Sequence, residues 1–466
     1  MFSTALNLLS VNYSSNILTS IDSLPGGIMR SGMASHLASD ASDRRARLYP
    51  WVVLALFWVC YFLNHADRQI LFSVFPLVKQ ELGLSNTQLG LLGSSFQWIY
   101  AILVPFAGLL GDSISRKNII LSALLVWSAT TVCSGLVSGF LLFLLLRALT
   151  GAGEAFYYPA ATSIISDYHG ASTRAFAMSI HQTSLYFGVV VSGTLAGYIG
   201  QHFGWRIAFL IFGGTGIAVA AVIRLLLREP VRGRQEEGSV AADAAIVKAS
   251  VWARLSEAFR SRAALALMIS FIGMNFAGVA VVTWSPTLLY REFHYSLAEA
   301  GFHATVYHQL GAFLGVLVGG RLADRWAVRD CRGRVWVQAA GLLGAAPFLY
   351  WLGRAGSPGE AFLALGAFGV FRGVYDSNLF ASVFEVITPG ARSTTVGLML
   401  SAGFLFGGSS PVVVGWLSQY VGLGAAVGAT SACFLAGGLL MVLNARLWFG
   451  SDARRMRERL HAAAAV

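Results

Sequence analysis

Ionisable side chains are scarce inside the long apolar runs of this 466-residue chain, and the few found there are the residues able to do chemistry. They are Asp67, Arg68, Arg147, Glu154, Arg372, Asp376 and, near the end of one run, Glu385. A charge at the centre of an apolar helix costs about 2.5–3.5 kcal/mol by insertion scales, so each needs a partner or a task. Arg147 and Glu154 are two helical turns apart, on one face and about 10 Å from each other at 1.5 Å per residue, too far to pair tightly. Asp67 and Arg68 sit at a similar depth in an earlier run. An Asp67–Arg147 ion pair is therefore expected, with Glu154 free to take up and release a proton in a partly dehydrated cavity. Burial opposes the charged form of Glu154 and a nearby guanidinium favours it, so a modest change in geometry would move the proton. The competing reading is a static pair that fixes helix packing. Arg372 and Asp376, at i and i+4, can satisfy each other on one helix face; equally, Arg372 can meet an anionic group across a cavity.

Aromatic and polar groups in the neighbouring runs extend the candidate binding set. Beside Arg147, Arg372 and Asp376 it comprises Tyr157, His181, Gln182, Asn275, Trp284 and His308, with Trp98, Tyr158, Tyr186, Tyr307 and Asn378 as further lining groups. The competing reading of such aromatics is interface belts and packing. Other chemistries lack their residues. Cys60, Cys133, Cys331 and Cys433 are far apart, with no CxxC and no Cys/His cluster. There is no phosphate-binding G-x-x-x-x-G-K-[ST] loop and no HExxH. An enzyme is not expected, and neither is a cofactor; a proton gradient is the expected driving force.

The elements that position these groups follow from composition. Hydrophobic residues make up 56% of the chain and charged residues only 12%, about half the share of a soluble domain. A bilayer crossing needs about 20 mostly apolar residues, and twelve spans of that kind are predicted: about 49–78, 87–111, 118–138, 140–166, 174–200, 205–227, 263–289, 300–322, 333–353, 361–386, 392–418 and 423–447. Of the 33 Lys and Arg residues, 26 fall in the tails and in alternate loops, while Lys79, Arg206, Arg291 and Arg354 mark the other side. The positive-inside rule then places both termini in the cytoplasm of a cell's inner membrane. The net charge of +11 is thus topology and not a nucleic-acid surface. The expected organisation is a disordered tail over 1–48, a six-helix bundle over 49–227, and a cytoplasmic linker over 228–262 with an amphipathic helix near Val251–Arg260. A second six-helix bundle over 263–448 and a tail over 449–466 complete it.

The two halves repeat. Gly108-Leu109-Leu110-Gly111-Asp112-Ser113-Ile114-Ser115-Arg116-Lys117 closes span 2, and Gly320-Arg321-Leu322-Ala323-Asp324-Arg325-Trp326-Ala327-Val328-Arg329 closes span 8. Gly170-Ala171-Ser172-Thr173-Arg174 is echoed by Gly390-Ala391-Arg392-Ser393-Thr394. Halves with an even number of spans point the same way, the parallel-repeat plan of the major facilitator superfamily. The chain resembles that superfamily from about Tyr49 to Phe449, with Ser115 in place of the usual glycine. The resemblance implies an all-α polytopic membrane protein, twelve transmembrane helices in two pseudo-symmetric six-helix bundles. It also implies a conformational latch built from Gly108, Asp112, Arg116, Lys117, Asp324 and Arg325, whose acid can face a helix N-terminus.

Asn64-His65-Ala66-Asp67-Arg68 and Arg147-Ala148-Leu149-Thr150-Gly151-Ala152-Gly153-Glu154-Ala155-Phe156-Tyr157 look like the spinster-like branch. Span 5 lacks the Gly-Pro pair of drug antiporters. The function so implied is a proton-coupled secondary active transporter moving a lysophospholipid-like or other organic anion by rocker-switch alternating access. The alternative is a proton symporter for a sugar acid or aromatic carboxylate, with drug efflux or a membrane enzyme less favoured. Expected partners are the solute, protons and membrane lipids, with no nucleic acid, and the chain is expected to act as a monomer.

Overall fold

The computed structural model describes residues 27–170, 172–230 and 251–464, with side chains described for 48–107, 114–170, 172–230 and 256–460. It is built from helices. The first half contains α1 (Gly27–Ser73), α2 (Phe75–Leu82), α3 (Asn86–Ser113), α4 (Arg116–Ser134), α5 (Phe140–Ala155), α6 (Tyr157–Tyr168), α7 (Arg174–Phe203) and α8 (Trp205–Leu226). The linker carries α9 (Val251–Arg260). The second half contains α10 (Arg262–Phe293), α11 (Leu297–Arg329), α12 (Gly333–Leu352), α13 (Pro358–Asp376), α14 (Leu379–Phe384), α15 (Arg392–Gly407), α16 (Ser410–Val421), α17 (Leu423–Ala429) and α18 (Ser431–Leu443), and α19 (Phe449–Ala464) follows. Leu56–Val466 forms one compact unit and Met1–Ala55 another. Helix α1 begins at Gly27, inside the segment expected to be a disordered tail.

Ten helical stretches among the described residues are long and apolar enough to cross a membrane. The other two expected spans are α11 and α13, whose polar loads, Glu299, Arg321, Asp324, Arg325 and Arg329 in one and Glu360, Arg372 and Asp376 in the other, dilute their hydropathy. Helix starts carry side-chain caps: Ser115 accepts from the Asn118 amide, Ser261 from Ala264 and Ser357 from Glu360, while Ser296 and Glu299 form a reciprocal capping box. Spans 5 and 6 are joined by the single residue Gly204 at φ 89°, and spans 11 and 12 by Gly422 at φ 84°. Only glycine reaches that region without a Cβ clash, so one device serves the same corner of both halves.

Spans 4 and 10 are both broken. Span 4 pauses at Phe156, where Pro159 deprives the Ala155 carbonyl of its helical donor. Span 10 pauses at Ser377–Asn378. Another shared device is a close helix contact. A Cβ on Gly151 of span 4 would lie 2.4 Å from the Phe96 carbonyl of span 2, and one on Gly369 of span 10 would lie 2.3 Å from the His308 carbonyl of span 8. Glu154 follows Gly151 by three residues and Arg372 follows Gly369 by three, so the acid and the arginine occupy equivalent places.

Contacts between the halves gather at one end. Asn86 Nδ2 donates to Ser418 Oγ at 2.8 Å, Gln419 Nε2 to Thr87 Oγ1 at 2.6 Å and the Leu297 amide to Gln201 Oε1 at 3.0 Å. Backbone meets backbone there: Gly90 lies against the Pro411 carbonyl, Gly197 against that of Leu297, and Gly301 against that of Gly193. Spans 2 and 11 form one side of this seam and spans 5 and 8 the other.

Candidate functional site

The charges of the first half form a quartet in which Asp67, Arg147 and Glu154 are buried and Arg68 is partly exposed. Arg68 Nε donates to Glu154 Oε2 at 2.7 Å, and Arg68 Nη2 to Asn64 Oδ1 at 3.2 Å. The Arg68 guanidinium lies over the rings of Phe96 at 4.8 Å and Tyr100 at 4.7 Å, and that of Arg147 over the Phe96 ring at 5.1 Å. Asp67 Oδ2 accepts from Thr131 Oγ1 at 3.0 Å. Two carboxylates and two guanidiniums cancel, which is what lets four ionisable groups sit together away from water.

The expected Asp67–Arg147 ion pair is not formed. Arg147 Nη1 reaches the backbone carbonyl of Asp67 at 3.5 Å, and the salt bridge is Arg68–Glu154. The reason is direction along span 1: Arg68 faces span 4, while Asp67, one residue earlier, turns to span 3 and Thr131. Arg147 is fully buried, its Nε and Nη2 lack hydrogen-bond partners, and so do Asp67 Oδ1 and Glu154 Oε1. Each unsatisfied group of this kind costs about 1–3 kcal/mol.

Across from the quartet, Arg372 Nη1 lies 3.0 Å from His308 Nε2, which must be the bare nitrogen to accept. Arg372 Nε is 3.5 Å from Asp376 Oδ2, an ion pair with both side chains partly exposed. Gly278 of span 7 faces the Arg372 guanidinium, leaving it room. Tyr186 of span 5, in the other half, is within electrostatic reach of both Arg372 and Asp376. Gln182 and Trp98 are half-buried, and Trp98 Nε1 donates to Ser409 Oγ at 3.1 Å across the halves.

Several expected lining residues are placed elsewhere. Tyr157 is fully buried; its hydroxyl donates to the Phe57 carbonyl at 2.8 Å and lies 3.3 Å from His181 Nε2. His181 in turn stacks on Tyr61 at 4.6 Å. Trp284 is fully buried, donates to the Pro411 carbonyl at 3.1 Å and meets the Phe75 ring of the first half at 5.3 Å, which sets it against the closed seam. Asn275 packs against Gly403 and Gly407 of span 11. Tyr307 stacks on Phe362 at 4.7 Å, and Asn378 bonds Ser377 and the Gly319 carbonyl. Phe96, Tyr100 and Thr131, which hold the charges, are not recoverable from spacing alone, because an aromatic or threonine in an apolar run looks like packing.

The latch motifs show paired arginine sites at the opposite end from the seam. Buried Arg116 of α4 bonds Asp167 at the end of α6 through Nη1, and Arg334 of α12 bonds Glu385 at the end of α14 at 2.6 Å; each partner lies 51 residues on. Arg334 also bonds Asp324 at 3.0 Å. The second-half counterpart of Arg116 is thus Arg334, at the start of α12, while Arg325 lies near the end of α11. Gly108 and Asp112 fall in α3, outside the residues whose side chains are described.

Glu229, unremarked in the sequence, ties the linker to this cluster. Its carboxylate accepts from the Lys117 amide at 2.7 Å, Ser115 Oγ at 2.9 Å and Arg116 Nε at 3.0 Å. Lys117 Nζ donates to the Arg224 carbonyl at 3.0 Å. Partial burial works against the Glu229 charge, but the bonds from Lys117, Ser115 and Arg116 outweigh it and hold the carboxyl below the usual glutamate range. A depressed folded-state value contributes stability above the unfolded value that is lost as pH falls through the folded one. Glu229→Gln should therefore lower the thermal midpoint at pH 7, by the equivalent of a lost helix cap, about 0.5–2 kcal/mol. In thermal scans of the detergent-solubilised pair, that gap should close as pH drops below the ordinary glutamate value; a gap unchanged down to pH 3 would sink this account.

Comparison with known proteins agrees with this fold. The Major Facilitator Superfamily profile matches residues 57–327 and 286–464. Protein spinster homolog 1 of Homo sapiens is 28% identical over 388 residues, 78% of this chain and 72% of that protein. The probable galactarate/D-glucarate transporter GudP of Escherichia coli is 28% identical over 314 residues, 63% of this chain and 69% of its own length. Among solved structures, a bacterial homologue of the human lysosomal transporter spinster, described as inward-facing and unoccupied, superposes with a TM-score of 0.73 at 24% identity. It covers 88% of this chain and 98% of that one. On the strength of that profile match, the repeated halves and the seam between them, the chain belongs to the Major Facilitator Superfamily.

Proposed function

We propose that this protein is a proton-coupled secondary transporter that carries an organic anion with an apolar body through a site between its two halves. The observation that carries the reading is the opposite charge character of two equivalent places: Glu154, held by Arg68, on span 4, and Arg372, with His308 and Asp376, on span 10. Protonating Glu154 removes the carboxylate that Arg68 binds. Its guanidinium then needs another anion, and the quartet carries a net positive charge at a depth where charge is expensive. A bound anionic solute supplies the missing charge, so proton and solute favour each other's binding. The Phe96, Tyr100 and Tyr186 rings nearby suit an apolar body.

By the positive-inside rule the Arg116 and Arg334 clusters face the cytoplasm. The seam of spans 2, 5, 8 and 11 then closes the outer end, and the site opens inward. Rocking the halves would break that seam and close the arginine-rich end. The resemblance of the Asn64–Arg68 and Arg147–Tyr157 segments to the spinster-like branch favours an amphiphile of lysophospholipid type; the membrane is taken to be a cell's inner membrane, with the basic loops on its cytoplasmic side. A second reading, a sugar diacid, is favoured by guanidiniums on both sides of the site, Arg68 and Arg147 on one and Arg372 on the other, and by the similarity to GudP.

Uptake into proteoliposomes, with and without an imposed pH gradient, separates these readings when a lysophospholipid and a hexaric acid are compared. Arg372→Gln should raise KM for the transported anion about 10- to 100-fold, the worth of a hydrogen bond to a charged group. An unchanged KM for every transported anion would remove Arg372 from the site.

A further inference from the structure

A cleft of about 610 Å³ lies in the second half, at the arginine-rich end and away from the central site. Its walls are the end of α11 (Asp324, Val328), the start of α12 (Arg334), the end of α14 (Phe384, Glu385), the start of α15 (Arg392) and α19 (Met456, Arg457). Three guanidiniums converge there against two carboxylates, and both carboxylates are engaged by Arg334. Arg392 gives Nη2 to the Phe384 carbonyl at 2.8 Å and keeps a buried Nε without a partner, as Arg334 does. A guanidinium presents its donors in a fork matched to phosphate or carboxylate oxygens, so unspent donors around a cleft fit an oxyanion.

The rest of the wall is apolar. Val328 is 89% exposed, Leu460 40% and Phe384 39%, and Leu322 and Trp326 continue the exposed apolar face along α11. A soluble phosphate has no use for such a wall, whereas an acyl chain does. Basic pockets at the cytoplasmic ends of membrane helices are suited to anionic head groups.

We propose that this cleft is a binding site for the phosphate-bearing head group of an anionic membrane lipid, with Arg392 and Arg457 on the phosphate and the Val328–Phe384 wall against the upper acyl chain. The lipid is a resident of the membrane and not the transported solute. Occupancy ties α19 to the ends of α11 and α14.

Cys331 lines the same cleft and serves as a reporter. The full chain with Cys60, Cys133 and Cys433 replaced is placed in nanodiscs of phosphatidylcholine alone or with one-fifth phosphatidylglycerol, and the rate of labelling by a neutral maleimide is followed. Labelling should slow at least fivefold with phosphatidylglycerol, and the Arg392→Gln/Arg457→Gln variant should abolish most of that protection. A variant retaining only Cys133, at the opposite end, corrects for the general effect of surface charge on thiol reactivity. Inorganic phosphate at tens of millimolar in phosphatidylcholine discs should give no protection. Equal rates in the two membranes after that correction, protection that survives the double substitution, or protection by inorganic phosphate alone would each overturn the assignment.

Discussion

Glu154→Gln should abolish accumulation driven by a pH gradient, a loss of at least a hundredfold in proteoliposomes, while exchange down a solute gradient persists. The glutamine cannot release a proton, and the neutral amide leaves the Arg68 guanidinium permanently available to an anion. The single change also breaks a buried ion pair, which costs about 3–5 kcal/mol when one partner is removed, so lost activity could reflect a weakened fold. The double variant Arg68→Gln/Glu154→Gln separates the two effects. It removes both charges together, should recover most of the thermal midpoint, and should remain unable to accumulate solute against its gradient. Proton-driven accumulation at the wild-type level by a folded Glu154→Gln protein would exclude Glu154 as the coupling group. The pH gradient would then act through another titratable group of the site: Asp67, Asp376 or His308.

The architecture was legible because it rests on strong periodic signals. Long apolar runs, alternating basic loops and a repeated Asp-Arg motif depend on the membrane and the backbone, and the helices follow them; the linker helix occupies Val251–Arg260. The site was legible only as an inventory. Which charges must find partners followed from burial, but which partner each finds depends on the rotation of a helix by one residue, about 100°, and spacing within one helix does not fix that. Asp67 and Arg68 show this most clearly: neighbours in sequence, they serve different helices, Asp67 bonding Thr131 of span 3 and Arg68 bonding Glu154 of span 4. Arg325 and Arg334 teach the same lesson. Motif alignment selected the arginine beside Asp324, and the fold selected the one that opens the next helix and reaches Glu385. Glu229 lay outside any motif, and its role depends on span 6 ending beside the start of span 3.

Bulky residues at the glycines of the closed seam should trap the opposite state. Among the described residues, the halves touch backbone to backbone at Gly90, Gly197 and Gly301, where an added Cβ would fall 2.2 to 2.3 Å from a carbonyl oxygen of the other half. A side-chain neighbour could swing away, but a carbonyl held in a helix cannot, so the seam itself must part. Overpacking of this kind costs about 1–3 kcal/mol per site. Because only the closed-seam state bears that cost, two sites together shift the equilibrium between the states by about 30- to 3 × 10⁴-fold. Gly90→Leu/Gly197→Leu should therefore slow transport at least tenfold. The fold within each bundle should survive, because both glycines face the other half. An Asn86→Cys reporter in an otherwise cysteine-free chain should react with an impermeant maleimide much faster in this background, because Asn86 is buried against Ser418 only while the seam is shut. Gly214→Ala, which has nothing within 4 Å of the new carbon, is the neutral control. Wild-type transport and a still-protected Asn86→Cys reporter in the double leucine variant would show that the seam does not have to open during the cycle, and alternating access through it would have to be abandoned.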